Sequence, residues 1–171
     1  MHPRLLLPLL ALVLMSQCQL KKSDPQPLEP KLPPITQNGS NTIGFRVDGQ
    51  VWLPKGSFNF PSWKAYYSGK MFYITANRVG GDTRDQFGIG IDPLQPGTAQ
   101  FDLAERNGVI AAFSPLNDDF RVLAPGEGTL RFTRLDTVAR IVAGTFEFEA
   151  VSATTGKTVR ITDGRFDLRT N

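Results

Sequence analysis

The sequence predicts an all-β domain, an antiparallel β-sandwich of about 8–10 short strands. From Ile43 onward, apolar and polar residues alternate with a period of two, as in strands that bury one face. Turn-forming residues recur about every 8–12 residues, a spacing typical of sandwiches and barrels. No long window carries a helical apolar stripe. A closed lipocalin-like up-and-down barrel is the alternative, because the number of strands does not separate the two architectures.

The first strands of this domain are predicted to form a hairpin. Phe45-Arg46-Val47 and Val51-Trp52-Leu53 flank Asp48-Gly49, the strongest short hairpin signal. With a two-residue turn, Phe45 faces Trp52 as an aromatic cross-strand pair. A second hairpin is expected around Ser68-Gly69. The polar, glycine-rich stretch Asn77 to Asp85 is predicted to be a connection.

Two later strands carry positional signals. In Gln86 to Ile91, apolar residues alternate with Gln86, Gly88 and Gly90, and glycines on one side of a strand predict a bend or the close approach of another element. Near the C-terminus, Val159 and Ile161 have the opposite parity to Phe166 and Leu168. A bulge at Asp163-Gly164 would return these four residues to one face.

The N-terminus has the pattern of an export signal. Leu5 to Met15 is an apolar run far shorter than the roughly 20 residues of a membrane span. The run ends at Met15-Ser16-Gln17-Cys18, which resembles the bacterial lipobox, although Gln17 departs from the usual small residue. We therefore predict a signal peptide at residues 1–17 and acylation of Cys18. An ordinary signal peptide with an incidental cysteine is the alternative.

Residues 18–42 are predicted to be the acylated cysteine followed by a proline-rich tether, and residues 43–171 a single all-β domain. These features predict a lipid-anchored protein of the bacterial cell envelope. Gln19 follows the cysteine where Asp would be the usual retention signal for the inner membrane. The outer membrane is therefore favoured.

Residue usage excludes several chemistries. The chain has one histidine, His2, and one cysteine, Cys18, so no histidine and no free thiol remain once the predicted signal is removed. This excludes Ser-His-Asp and Cys-His nucleophiles and the usual zinc sites. The 19 Lys and Arg and 16 Asp and Glu are interleaved, so a nucleic-acid partner is not predicted.

Carboxylates are the catalytic groups that remain, because glycoside hydrolysis needs two of them across a cleft. Turns and half-exposed strands account for such residues equally well. Oxygen ligands for calcium occur in loops, but the EF-hand pattern is absent. We therefore predict no enzyme, no metal and no cofactor. The close pairs are Asp82 with Asp85, Asp118 with Asp119, and Glu147 with Glu149.

Clustered aromatic residues are the candidate ligand-binding groups. Trp52, Trp63, Tyr66 and Tyr67 could stack on sugar rings or anchor a protein partner, and the alternative is that they belong to the core. Adjacent Tyr66 and Tyr67 cannot both face inward on a regular strand, so one of them is expected to be exposed.

Four motifs resemble a family of small bacterial lipoproteins that is recorded only as a domain of unknown function. The resemblance extends from about Leu32 to Arg169. It implies an envelope location and an all-β domain, and it brings no catalytic residues. The motifs are NTIGFRVDGQVWLPKG at 41–56, QFGIGID at 86–92, VAGTFEFEAV at 142–151 and ITDGRFDLR at 161–169.

Three functional hypotheses follow. The first is a non-catalytic binding or accessory module for an envelope protein or a glycan, supported by the anchor, the tether and the missing catalytic residues. The second is a structural envelope component. The third is a carboxylate enzyme that acts on glycans, and it is the least favoured.

Overall fold

The structure, a computed structural model, describes residues 30–95, 99–104, 108–123, 125 and 127–170. The predicted signal peptide and Cys18 lie outside these residues. The predicted all-β antiparallel class is confirmed. No helix able to cross a bilayer occurs in the described ranges. The strands are β1 (Thr42–Val47), β2 (Gln50–Trp52), β3 (Trp63–Tyr67), β4 (Phe72–Gly80), β5 (Thr83–Ile91), β6 (Gln100–Asp102), β7 (Val109–Ser114), β8 (Phe120–Arg121), β9 (Gly128–Asp136), β10 (Ile141–Ser152) and β11 (Thr158–Arg169).

All of these strands belong to one antiparallel sheet that curls into a half-barrel. The order along the sheet is β2-β1-β11-β10-β8-β7-β5-β4-β3. The sheet forks at β10, because β9 pairs with Ile141–Phe148 while β8 pairs with Val151 and Ser152. β6 adds to the outer edge of β9.

The two arms of the curled sheet face each other across an aromatic core. Phe45 of β1 stacks on Trp52 with ring centroids 4.5 Å apart. Phe87 of β5 lies 4.7 Å from Phe45 and 4.9 Å from Phe146 of β10, although these strands are not neighbours in the sheet. Each such buried side chain contributes about 1.5–3 kcal/mol of hydrophobic stabilisation. The interior is therefore filled by rings.

Two sequence signals are confirmed in detail. Asp48 and Gly49 both have positive φ, 49° and 83°, and Phe45 faces Trp52 across the hairpin. The register of β11 shifts around Asp163-Gly164. This bulge brings Ile161, Phe166 and Leu168 to the buried side, and Val159 packs partly against them.

The prediction of a connection from Asn77 to Asp85 is wrong. β4 continues to Gly80 and β5 begins at Thr83, so only Gly81-Asp82 turns. The polar residues pair across the two strands instead. Arg78 lies opposite Asp85 and forms an ion pair with it at 2.6 Å. Polar side chains that satisfy one another across a hairpin extend both strands.

The two ends of the sheet approach each other beside β4. Lys55, just after β2, forms a parallel bridge with Arg78. Its N–H donates to the Asn77 carbonyl at 2.8 Å, and its carbonyl accepts from the Val79 N–H at 2.8 Å. In the same region the Trp52 indole N–H donates to Asp85 Oδ2 at 3.1 Å. Arg78 donates to that oxygen and lies over the Trp52 ring.

The last part of the predicted tether is bound to β11 through Asp167. This buried carboxylate accepts hydrogen bonds from the Thr36 hydroxyl at 2.6 Å and from the backbone N–H groups of Asn38, Gly39 and Ser40 at 2.7–3.1 Å. Burial raises the pKa of Asp167, but these donors outweigh it and hold the pKa below its ordinary value. The residues just before β1 are thereby fixed to the domain.

We expect Asp85→Ala to lower the free energy of unfolding by about 2–3 kcal/mol, because it leaves the Trp52 indole and the Arg78 guanidinium without their shared acceptor. Chemical denaturation monitored by tryptophan fluorescence measures this loss. Glu147→Ala, on the exposed face of β10, is the control and should change stability by less than about 0.5 kcal/mol. Equal losses in the two variants would contradict this role of Asp85.

Candidate functional site

The outer face of β3, β4, β5 and β7 carries an open groove floored by glycine. Strand alternation directs Phe87, Ile89 and Ile91 into the core, so Gln86, Gly88 and Gly90 face outward. The groove has a volume of about 520 Å³. This lies within the size range of small-molecule sites. Its described lining residues are Asn59, Phe60, Pro61, Lys64, Thr75, Asn77, Gln86, Phe87, Gly88, Ala112 and Ser114.

The fold itself does not require the glycines of this floor. A Cβ atom added at Gly88 would lie 3.9 Å from the nearest atom, and one at Gly90 would lie 4.0 Å from the Tyr73 Cβ, both ordinary contacts. Neither glycine has a positive φ. By contrast, a Cβ at Gly144 would lie 2.4 Å from the Arg131 carbonyl oxygen. Glycine weakens a strand, so Gly88 and Gly90 cost stability with no internal packing reason.

A tight turn after β2 forms one wall of the groove. The Ser57 N–H donates to the Phe60 carbonyl at 2.8 Å, and the Phe60 N–H donates to the Ser57 carbonyl at 3.1 Å. The Asn77 side chain donates to the Pro61 carbonyl at 3.0 Å. A Cβ at Gly56 would meet the Phe60 carbonyl oxygen at 2.7 Å, so this position requires glycine. The turn is therefore fixed, and it holds Phe60 41% exposed, with Arg84 over its ring at 5.1 Å.

Beyond the lining residues of the groove, aromatic and aliphatic side chains continue the same outer face around Gly90. Tyr66, Tyr73, Gly90 and Ile110 are consecutive partners across β3, β4, β5 and β7. The Tyr66 and Tyr73 rings stack at 5.3 Å with an interplanar angle of 18°. Tyr73 is 37% exposed and Ile110 is 46% exposed. From Gln86 to Gly90 the floor extends about 13 Å, at about 3.3 Å per strand residue.

The groove between these ends is lined by neutral polar groups. Amides of Asn77 and Gln86 and hydroxyls of Thr75 and Ser114 face it. The three groups of Asn77, Gln86 and Thr75 are able to donate and to accept hydrogen bonds, whereas the Ser114 hydroxyl donates to Asp119 and is left as an acceptor. Lys64 is the one charged side chain among the described lining residues. The arrangement can orient a polar ligand.

The four aromatic residues proposed from the sequence lie on different sides of the sheet. Trp52 is buried, and Trp63 and Tyr67 pack partly buried against the core. Tyr66 lies on the outer face, stacked on Tyr73. The expectation that one of the two adjacent tyrosines is exposed is wrong, because both are half-buried, Tyr66 against Tyr73 and Tyr67 against the core. A ligand-binding role for any of the four stays a prediction, and Tyr66 is the one beside the groove.

Sequence reasoning missed two aromatic residues of this face. Tyr73 and Phe60 are not among the four aromatic candidates that the sequence suggests. Cross-strand register brings Tyr73 against Tyr66. The turn at Ser57 places Phe60 in the groove wall. The signal that pointed to this face was the glycine side of β5.

Three carboxylates of the candidate pairs are held by hydrogen-bond donors. Asp85 is bound by Trp52 and Arg78. The Ser152 hydroxyl lowers the pKa of Asp118, and the Ser114 hydroxyl lowers the pKa of Asp119. A general acid needs the opposite shift.

Glu147 and Glu149 share the outer face of β10 and line a second pocket of about 370 Å³, where Arg160 binds Glu149 at 3.0 Å. That pairing is typical of two exposed glutamates on a half-solvated strand. Within the described ranges, no three Asp, Glu, His or Cys side chains are close enough to hold a metal ion.

The chain forms a small all-β domain. Its interior is filled by packed side chains, and its groove lies on the outer face of the sheet. A protein-family model, Domain of unknown function (DUF6252), matches residues 47–167. The chain belongs to this family, so the expected membership of a domain of unknown function is confirmed. That the family consists of bacterial lipoproteins stays a prediction. No curated protein and no solved structure is significantly similar to the chain.

We expect Gly88→Ala to raise the free energy of unfolding by about 0.5–1 kcal/mol, because the added methyl group meets no close atom and restricts the unfolded chain. Gly144→Ala is the matched control. It should destabilise the domain by more than about 1 kcal/mol, because its methyl group overlaps the Arg131 carbonyl and the Phe166 ring. Denaturant titration of both variants measures the difference. Destabilisation by Gly88→Ala would show that the fold itself needs this glycine.

Proposed function

We propose that this protein is a non-catalytic binding module of the bacterial cell envelope, and that its ligand occupies the glycine-floored groove. One observation carries the proposal. Gly88 and Gly90 leave room that neither backbone conformation nor internal packing requires. Glycine in a strand with no internal reason indicates a site where something else approaches the backbone closely.

The surroundings of the glycines support a site that is formed before the ligand binds. The Ser57–Phe60 turn is held by backbone hydrogen bonds and by the close packing of Gly56. Tyr73 is held by its stack on Tyr66. Side chains that are ordered before binding lose less conformational entropy on binding. The aromatic core fills the space in which a lipocalin-like barrel would carry its ligand, which favours the outside of the sheet.

The envelope location rests on the sequence. The apolar run, Cys18 and the resemblance to small bacterial lipoproteins support a lipid anchor. Leu32 and Pro33 already lie against Gly44 of β1, so Gln19–Lys31 separate the proposed anchor from the fixed part of the domain. Such a segment spans at most about 45 Å when fully extended. Such a reach would let the groove meet ligands on or near the membrane surface.

A photo-crosslinking amino acid at Gln86, on the groove floor, tests the proposed site in cells. We expect it to capture a ligand, and Gly88→Phe in the same chain to abolish the capture by filling the groove. The same amino acid at Thr133 is the control, because Thr133 is an exposed strand residue on β9 that is not among the lining residues of the groove. Equal capture from both positions, or capture that survives Gly88→Phe, would contradict a ligand in the groove. No capture from either position would favour the structural role.

The proposed anchor has a separate test. We expect Cys18→Ala to abolish acylation and to move the protein from the membrane fraction to the soluble fraction, because no other cysteine is present. Mass spectrometry and membrane fractionation give the result. Acylation that persists in the variant, or a wild-type chain that carries no acyl group, would contradict the lipoprotein assignment.

A further inference from the structure

We infer that the ligand of the glycine-floored groove is an uncharged carbohydrate chain that lies along β5 between Phe60 and Tyr73. This inference rests on the proposed function, since it names the ligand class of the same site. Four features carry it: the paired backbone of β5, the neutral polar lining, the aromatic side chain at each end, and the glycine floor.

The pairing of β5 argues against a peptide bound by strand addition. β5 lies inside the sheet, with β4 on one side and β7 on the other, so its backbone donors and acceptors already form ladder hydrogen bonds. Added strands use a free edge. A ligand on the face above Gly88 can therefore be recognised only by side chains and by apolar contact with the backbone.

The lining groups match a ligand rich in hydroxyls. Each sugar hydroxyl is both a donor and an acceptor, and Asn77, Gln86 and Thr75 have the same dual capacity, while Ser114 can accept. Lys64 is the one charge among the described lining residues, and the Arg84 guanidinium lies over the Phe60 ring at one end. These two cations would leave most charges of a chain that is anionic at every sugar without a partner, and burying an unpaired charge is costly. The mainly neutral lining therefore favours an uncharged chain over a densely charged one.

The two aromatic side chains supply apolar contacts at the ends. One face of a pyranose ring presents C–H groups, which pack on the face of an aromatic ring. Phe60 is fixed by its turn and Tyr73 by its stack on Tyr66, and both are more than a third exposed. The floor of about 13 Å between Gln86 and Gly90 accommodates more than one sugar ring. Because glycine has no side chain, a sugar ring can lie close to the backbone of β5.

The test uses the full-length chain in mild detergent and affinity electrophoresis in gels that contain one soluble polysaccharide each. The neutral set comprises α- and β-linked glucans, mannan, galactan and xylan. The acidic set comprises polygalacturonate and heparin. We expect retardation by at least one neutral polysaccharide, unchanged between about 0.05 and 0.5 M salt, because no ion pairs are involved.

Variants connect that retardation to the groove. Gly88→Phe should abolish it, and Tyr73→Ala should weaken binding about tenfold by removing one stacking surface. Glu147→Ala, on the outer face of β10 and outside the groove, should leave the retardation unchanged. Thermal unfolding of each variant shows that the domain is intact. Binding that survives Gly88→Phe in a folded variant would overturn the assignment to this groove.

The remaining outcomes separate the carbohydrate inference from the proposed function. Retardation only by acidic polysaccharides, lost at high salt and in Lys64→Ala, would overturn the neutral class. Retardation by none of the polysaccharides, together with a protein captured from Gln86, would overturn the carbohydrate and keep the groove as a binding site. Retardation by none, with no groove-dependent capture, would overturn both.

Discussion

One carboxylate oxygen, Oδ2 of Asp85, connects the two ends of the curled sheet. It accepts hydrogen bonds from the indole of Trp52, at the end of β2, and from the guanidinium of Arg78 on β4. An open sheet buries its inner face only while its arms stay folded toward each other. Asp85 holds them together in a buried place, where a charge-assisted hydrogen bond is strongest and an unpaired donor is most costly. The packing of Phe45 against Phe87 and Phe146 depends on this closure.

The filled interior determines where the domain can bind a ligand. Larger barrels use their inner face for ligands, and small ones fill it with side chains. Here Phe72 of β4 packs against Phe132 of β9 at 4.8 Å, so the arms meet in direct contact. The side chains of the inner face therefore stabilise the fold by packing against one another. Side chains that bind a ligand without disturbing the core must therefore lie on the outer face. On that face, Gly88 and Gly90 of β5 are residues that the packing of the fold does not require.

Local features were predictable from the sequence because short-range chemistry decides them. Asp48-Gly49 adopts a turn in which both residues need positive φ, and Asp163-Gly164 corrects a break in strand parity. The stretch from Asn77 to Asp85 was mispredicted because its polar residues look like a loop until Arg78 is placed opposite Asp85. The curl of a single sheet was equally hidden, since the contacts that produce it join residues far apart in the chain.

The candidate site was only partly predictable, because it also depends on contacts between residues far apart in the chain. Strand alternation showed that Gly88 and Gly90 share a side. Only the fold shows that a Cβ atom at either position would meet no described atom closer than 3.9 Å. A shallow groove of this kind desolvates little of its ligand, and weak affinity at each site is the physical consequence. Anchoring through Cys18 would offset that weakness. Many copies on one membrane, each able to hold a different segment of the same polymer, would raise avidity over single-site affinity by about 10²–10⁴ without any further contact in the groove.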